Sequence, residues 1–145
     1  MTDALDRLAR LLEEVPARLA GLSEEEAPRP RAGGKWSPKQ IVGHLIDSAS
    51  NNHQRWVRGM AAPQTAFPKY EQESWVESQG YAGERWADLA CLWLFYNRHL
   101  LHLARGMTAE QAAHLCAVGD KAPVTLAALV EDYLVHLEKH LAQIG

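Results

Sequence analysis

The chain has 145 residues, 47% hydrophobic and 23% charged, with a formal net charge of -3. That balance fits one globular domain with a buried core and excludes a disordered chain. It offers no basic footprint for nucleic acid, and no apolar run approaches the roughly 20 residues that span a bilayer, so neither partner is expected.

Residues 2–22 read as a helix, because Leu5, Leu8, Leu12, Val15 and Leu19 recur at helical spacing. Thr2 is the expected N-cap, and Pro16 is a place where this helix can kink. Its start alternates charge and leucine (Asp6, Arg7, Leu8, Arg10, Leu11) and lacks the apolar stretch of a secretory leader, which predicts a cytoplasmic address. A loop through Pro28, Pro30, Gly33 and Gly34 follows.

The next helix, about 38–59, announces itself by its chemistry. Ser37 caps it, Pro38 fits the first position, Gln40 completes a capping box, and Trp36 and Ile41 flank the cap as a hydrophobic staple. Residues 60–83 carry Pro63, Pro68, Gly80 and Gly83, with Phe67, Tyr70, Trp75 and Tyr81 among polar neighbours. So long a connection is uncommon in a compact domain. Either it holds a short helix near Gln72–Gln79, or it wraps the bundle and walls a site. A third long helix, about 84–105, aligns Trp86, Leu89, Trp93, Tyr96, Leu100 and Leu103. Thr108 and Gln111 form another capping box, opening a short helix that ends near Leu115. The last helix covers about 125–143, capped by Thr125.

No segment alternates with a period of two, so no sheet is expected. The pattern predicts a single all-α domain over 1–145, a four-helix bundle with long crossover connections. Cys91 and Cys116 form no C-x-x-C pair and are expected as buried free thiols rather than a disulfide or redox couple.

Seven histidines occur, and helix geometry decides which can meet. Positions four apart lie about 40° apart on a helix, so His136 and His140 share one face, at the edge of a stripe bordered by Leu129, Tyr133, Leu137 and Leu141. Two neutral imidazoles one turn apart are a common way to present two ligands to one metal ion. His44 flanks the apolar stripe of Ile41, Leu45, Ala49 and Trp56, and Ser48, Asn51 and Arg55 lie within about 40° of it. Polar side chains beside a buried face are expected where that edge lines a pocket. His44, His136 and His140 are therefore the candidate metal ligands, with His99 in reserve. His53 points about 180° from His44 and is expected to be exposed or at a subunit contact. The run His136-Leu137-Glu138-Lys139-His140 is not the H-E-x-x-H of zinc proteases. Its glutamate projects about 160° from the histidine pair and is expected to be a solvated surface charge.

The segment Lys35-Trp36-Ser37-Pro38-Lys39-Gln40-Ile41-Val42-Gly43-His44-Leu45-Ile46-Asp47-Ser48 resembles the first-ligand helix of the DinB/YfiT-like superfamily of metalloenzymes. Tyr133-Leu134-Val135-His136-Leu137-Glu138-Lys139-His140-Leu141-Ala142-Gln143-Ile144 is similar to that family's last helix. Ser50-Asn51-Asn52-His53-Gln54-Arg55-Trp56 and Tyr96-Asn97-Arg98-His99 add to the likeness, which covers essentially the whole chain. The resemblance implies a four-helix bundle, often a homodimer. It also implies a nickel or zinc site built by His44, His136 and His140, and a thiol S-transferase joining a small thiol to an electrophile.

Three neutral imidazoles leave a divalent ion its full charge and an open position, as in catalytic sites. Nickel, zinc, copper and iron all suit such ligands. The leading expectation is activation of a low-molecular-weight thiol for attack on an electrophilic small molecule. Arg55 is the candidate partner for a substrate carboxylate, and Asn51 and Ser48 are candidate donors to a metal-bound ligand. Asp47 either orients a histidine or sits at the surface. Metal-dependent hydrolysis is the alternative, but no base is evident on the histidine faces. A non-catalytic metal-containing binding or stress-response protein is the third reading, and a fourth protein ligand such as His99 or a cysteine would mark it.

Overall fold

Ser37 opens the second long helix as its sequence predicts. Its hydroxyl accepts from the Gln40 amide at 3.3 Å, and the Gln40 side chain accepts from the Ser37 amide at 2.9 Å. Thr125 caps the last helix, accepting from the Ala128 amide at 3.1 Å. The structure, a computed structural model, describes residues 1–144; Gly145, the end of the expected domain, lies outside the described residues. The elements in chain order are α1 (Thr2–Ala20), α2 (Pro38–Ala61), β1 (Gln64–Phe67), α3 (Gln72–Gln79), α4 (Trp86–Arg105), α5 (Ala109–Ala112), β2 (Leu115–Val118), β3 (Val124–Thr125) and α6 (Leu126–Leu141).

The four long helices form the bundle. α4 packs against α1 and α2, and α6 packs against α2 and α1, so α1 faces α2 across the diagonal. The connections after α1 and after α4 therefore cross the bundle. Leu8, Leu45, Leu89, Leu100, Leu134 and Leu137 fill its axis with Trp56 and Trp93, all fully buried or nearly so. No helix among the described residues is long and apolar enough to cross a membrane.

Several expectations need correction. A small sheet is present: β1 pairs in parallel with β2, and β2 antiparallel with β3. Its strands are only two to four residues long, too short for alternation to register in the sequence. They are stabilised by pairing between distant connections (Gln64 opposite Leu115) rather than by local pattern. The strand at Leu115 also shortens the helix opened by Thr108 to Ala109–Ala112. Thr2 lies within α1 and Met1 takes the cap position without a side-chain bond. α1 continues through Pro16, which lies inside the helix. Of the cysteines, Cys116 is buried but Cys91 is exposed, because it falls on the outer side of α4. Glu138 is not simply solvated: it accepts two hydrogen bonds from Arg7, which also reaches Glu131 and so ties α1 to α6.

Candidate metal centre

α2 and α6 pack side by side, and this contact brings the predicted histidines together. His44, fully buried, meets His136 with 3.0 Å between their Nε2 atoms. Its ring centroid stands 4.9 Å from that of His136 and 4.7 Å from that of His140. One nitrogen from each of the three lies within 4.8 Å of the others, and no fourth histidine, cysteine or carboxylate joins them among the described residues.

The group beside His140 decides which nitrogen that ring offers. Nδ1 of His140 lies 3.3 Å from Oε1 of Gln143, a pure acceptor, so that nitrogen carries the proton and Nε2 is left with its lone pair. Arg31 holds the same oxygen from its other side at 3.4 Å. Nδ1 of His136 faces the Ser48 hydroxyl at 3.4 Å, and Asn52 donates to the Ser48 carbonyl one turn on. The ring of Trp36, the residue expected as a staple, covers His44 at a centroid distance of 5.0 Å. Nδ1 of His44 is buried with no partner among the described residues.

All three imidazoles are held neutral. Burial, and then the neighbouring His136 and His140, push His44 down to about 3. Burial followed by His140 and Lys139 pushes His136 down to about 4, and burial chiefly lowers His140 as well. Neutral imidazole is the form that binds a metal. Two nitrogens on one ion, each about 2.0–2.1 Å from it, stand about 3–3.5 Å apart, which the His44–His136 spacing matches. The residues present fit a divalent ion held by three histidines.

A cavity of about 290 Å³ opens beside them, with His136, Ser48, Asn52, Arg55 and Tyr70 in its wall. Arg55 lines it as expected; Asn51 does not, and its amide donates instead to the Asp47 carbonyl at 2.9 Å. The reason is rotational. Ser48, Asn52 and Arg55 lie about 40°, 80° and 20° to one side of His44, whereas Asn51 lies about 20° to the other. Asp47, about 60° round on that far side, is buried and accepts from the Tyr81 hydroxyl at 2.6 Å and from Gln79 at 2.7 Å. Burial raises its pKa against the pull of those two bonds. Among the described residues His99 does not join the cluster. It is exposed on α4, its ring 5.2 Å from that of His53, which in turn bonds the Tyr96 hydroxyl at 3.0 Å. The sequence reading missed Asn52, Lys69, Lys121 and Gln143, and reached Tyr70 only as part of the connection 60–83 that could wall a site. Only Gln143, one turn after His140, carried a local signal.

This architecture is a bundle carrying a three-histidine centre, and the chain belongs to the DinB superfamily, whose sequence model matches residues 7–144. It is similar to YfiT of Bacillus subtilis (strain 168), named as a proposed metal-dependent hydrolase: 28% identical, covering 96% of this chain and 81% of that protein. A Geobacillus thermodenitrificans relative with the same description is 28% identical over 94% of this chain and 78% of its own length. The solved YfiT structure, described as having an unusual four-helix bundle topology, superposes with a TM-score of 0.83 at 26% identity, covering 97% of this chain and 83% of that one. A mycothiol-dependent maleylpyruvate isomerase shares the fold at a TM-score of 0.78, with 10% identity over 99% of this chain and 60% of its own.

Proposed function

We propose that this protein is a metal-dependent thiol S-transferase, an enzyme that joins a low-molecular-weight thiol through its sulfur to an electrophilic small molecule. The observation that carries the reading is the convergence of three neutral imidazole nitrogens, with no carboxylate among them, beside a polar cavity that shares His136 as wall. His44, His136 and His140 would hold a divalent cation, which when bound would supply Lewis acidity to a thiol or a water. Ser48 and Gln143 fix the rings of His136 and His140 so that their second nitrogens face inward. Trp36 keeps water from the face of His44. Arg55 meets the substrate in the cavity, and Asn51 does so only by exchanging its bond to Asp47. In the transfer the thiol gives up its proton to solvent, sulfur forms a bond to the electrophilic carbon, and that carbon releases its leaving group with the bonding pair. That a mycothiol-dependent isomerase uses the same fold supports thiol chemistry only as an analogy. The reading includes nickel or zinc, with iron as the further candidate, a homodimer, and a cytoplasmic address where small thiols stay reduced.

Metal-dependent hydrolysis is the second reading, favoured by the names of the relatives. It needs a base beside the attacking water, and no carboxylate joins the cluster among the described residues.

Elemental analysis of the purified chain beside His44→Ala and His136→Ala tests the centre. Near-stoichiometric metal in the parent, absent from both variants, is expected; metal retained by the variants rules the centre out. Loss of free thiol in the presence of an alkyl halide or epoxide, against release of acid from an ester, then separates transfer from hydrolysis.

A further inference from the structure

The cavity holds more charge than the three histidines call for. Its wall carries three cations, Arg55, Lys69 and Lys121, and one acid, Asp132. Arg55 is the most informative. It is partly buried, and burial lowers the pKa of its guanidinium. Yet it forms no ion pair among the described residues, and its one hydrogen bond runs from Nη2 to the Pro68 carbonyl at 3.5 Å, the outer limit for such a bond. The chain treats another partly buried arginine differently: Arg7 is met by Asp3, Glu131 and Glu138. A guanidinium withdrawn from water without a counter-charge is unfavourable, so a ligand that supplies one is bound in preference to water.

The shape of the donors narrows the chemistry. Tyr70 shares the wall with Arg55, and burial keeps its phenol protonated, hence a donor. A planar guanidinium fork with a phenolic O–H beside it suits the two coplanar oxygens of a carboxylate. Lys69 and Lys121 are exposed at the rim, where they attract an anion without fixing its orientation. Near 290 Å³, the space suits a small molecule.

We propose that this cavity binds a small carboxylate-bearing ligand, its carboxylate held by Arg55 and Tyr70 and its reactive end directed at the His136 wall. This deepens the thiol-transfer reading by naming its substrate class, and it rests on that reading for the cavity's being the substrate site. The carboxylate belongs either to the thiol or to the electrophile.

The test is a titration of the full chain, with and without zinc, followed by NMR of the arginine Nε–H signals. The probes are 3-mercaptopropionate, its neutral amide, and butyrate, which replaces the thiol with a methyl group. The acid is expected to bind at least about 10-fold more tightly than the amide, and to lose that preference in Arg55→Gln. Should Arg55→Gln fail to fold, Arg55→Lys keeps the charge but loses the fork, and is expected to weaken acid binding several-fold. With zinc present, a preference for 3-mercaptopropionate over butyrate assigns the carboxylate to the thiol; equal binding assigns it to the electrophile. Equal affinity for acid and amide, or a preference that survives the Arg55 variants, overturns the proposal. The zinc-free arm needs no metal. A chain that prefers the acid but binds no metal therefore refutes the metal reading alone, and a metal-binding chain indifferent to the charge refutes only this proposal.

Discussion

Gly43 precedes His44 on α2, and the ring of Tyr81 lies against its backbone. A Cβ at Gly43 would stand 2.2 Å from Cδ2, 2.4 Å from Cγ and 2.6 Å from Cε2 of that ring. Carbon atoms pack at about 3.5 Å, so in Gly43→Ala the ring or the helix must retreat by about 1.3 Å. The ring is not free to move: it is buried, and its hydroxyl donates to Asp47 Oδ1 at 2.6 Å. Asp47 Oδ2 already lacks a partner among the described residues, so losing Tyr81 leaves a buried carboxyl group with Gln79 alone among them. Overpacking costs about 1–3 kcal/mol and the lost bond about 1.5–3 kcal/mol. Replacing glycine by alanine within a helix returns about 1 kcal/mol. The expected net loss is about 1.5–5 kcal/mol, a fall in Tm of roughly 3–20 °C for a chain of this size. Urea unfolding and thermal melts measure it, and a double-mutant cycle isolates its cause. With Tyr81→Ala in place the added methyl has room, and Gly43→Ala should become neutral or mildly stabilising. If Gly43→Ala matches the parent within about 0.5 kcal/mol, or costs the same with and without the Tyr81 ring, the packing argument is wrong.

Two further outcomes follow from the histidine centre. In the metal-free chain His44 stays neutral down to about pH 3 and His136 to about pH 4, whereas both protonate near pH 6.5 when unfolded. The extra protons therefore go to the unfolded state. Stability is fully present above about pH 6.5 and falls below it, by up to about 1.4 kcal/mol per pH unit for each histidine. Urea midpoints measured from pH 7.5 to 4.5 with a chelator should show this slope, and a flat profile contradicts it. Ser48→Ala removes the hydroxyl that faces Nδ1 of His136. It should weaken zinc affinity about 10-fold in a chelator competition, the low end for such partners because the bond is long, and an unchanged affinity contradicts the role.

The bundle and its centre were legible because both are written in local periodicity. Ser37, Pro38 and Gln40 fix where α2 starts, and from that start the 3.6-residue repeat fixes which way His44 points. The spacing of His136 and His140 does the same on α6. What was not legible depends on residues far apart in the chain. The pairing of Gln64 with Leu115 leaves no periodic trace, so the sheet went unseen. Lys69 and Lys121 lie in separate connections and meet only across the cavity. Asn51 was favoured over Asn52 because rotation about one helix cannot tell on which side of His44 the neighbouring helix leaves a space. Glu138 was read as solvated because its partner, Arg7, stands at the opposite end of the sequence.

The parallel pairing of β1 with β2 divides labour within the fold. The three histidines stand on α2 and α6, whereas Lys69, Tyr70 and Lys121 come from the connections that β1 and β2 fasten together. The amide of Gly119 completes that fastening by donating to the Phe67 carbonyl at 2.9 Å. Side chains on this rim can be exchanged while the helices that hold the histidines keep their register. Over evolution such a scaffold can change what it accepts without rebuilding what reacts, and an engineer can graft a rim from one relative onto the centre of another.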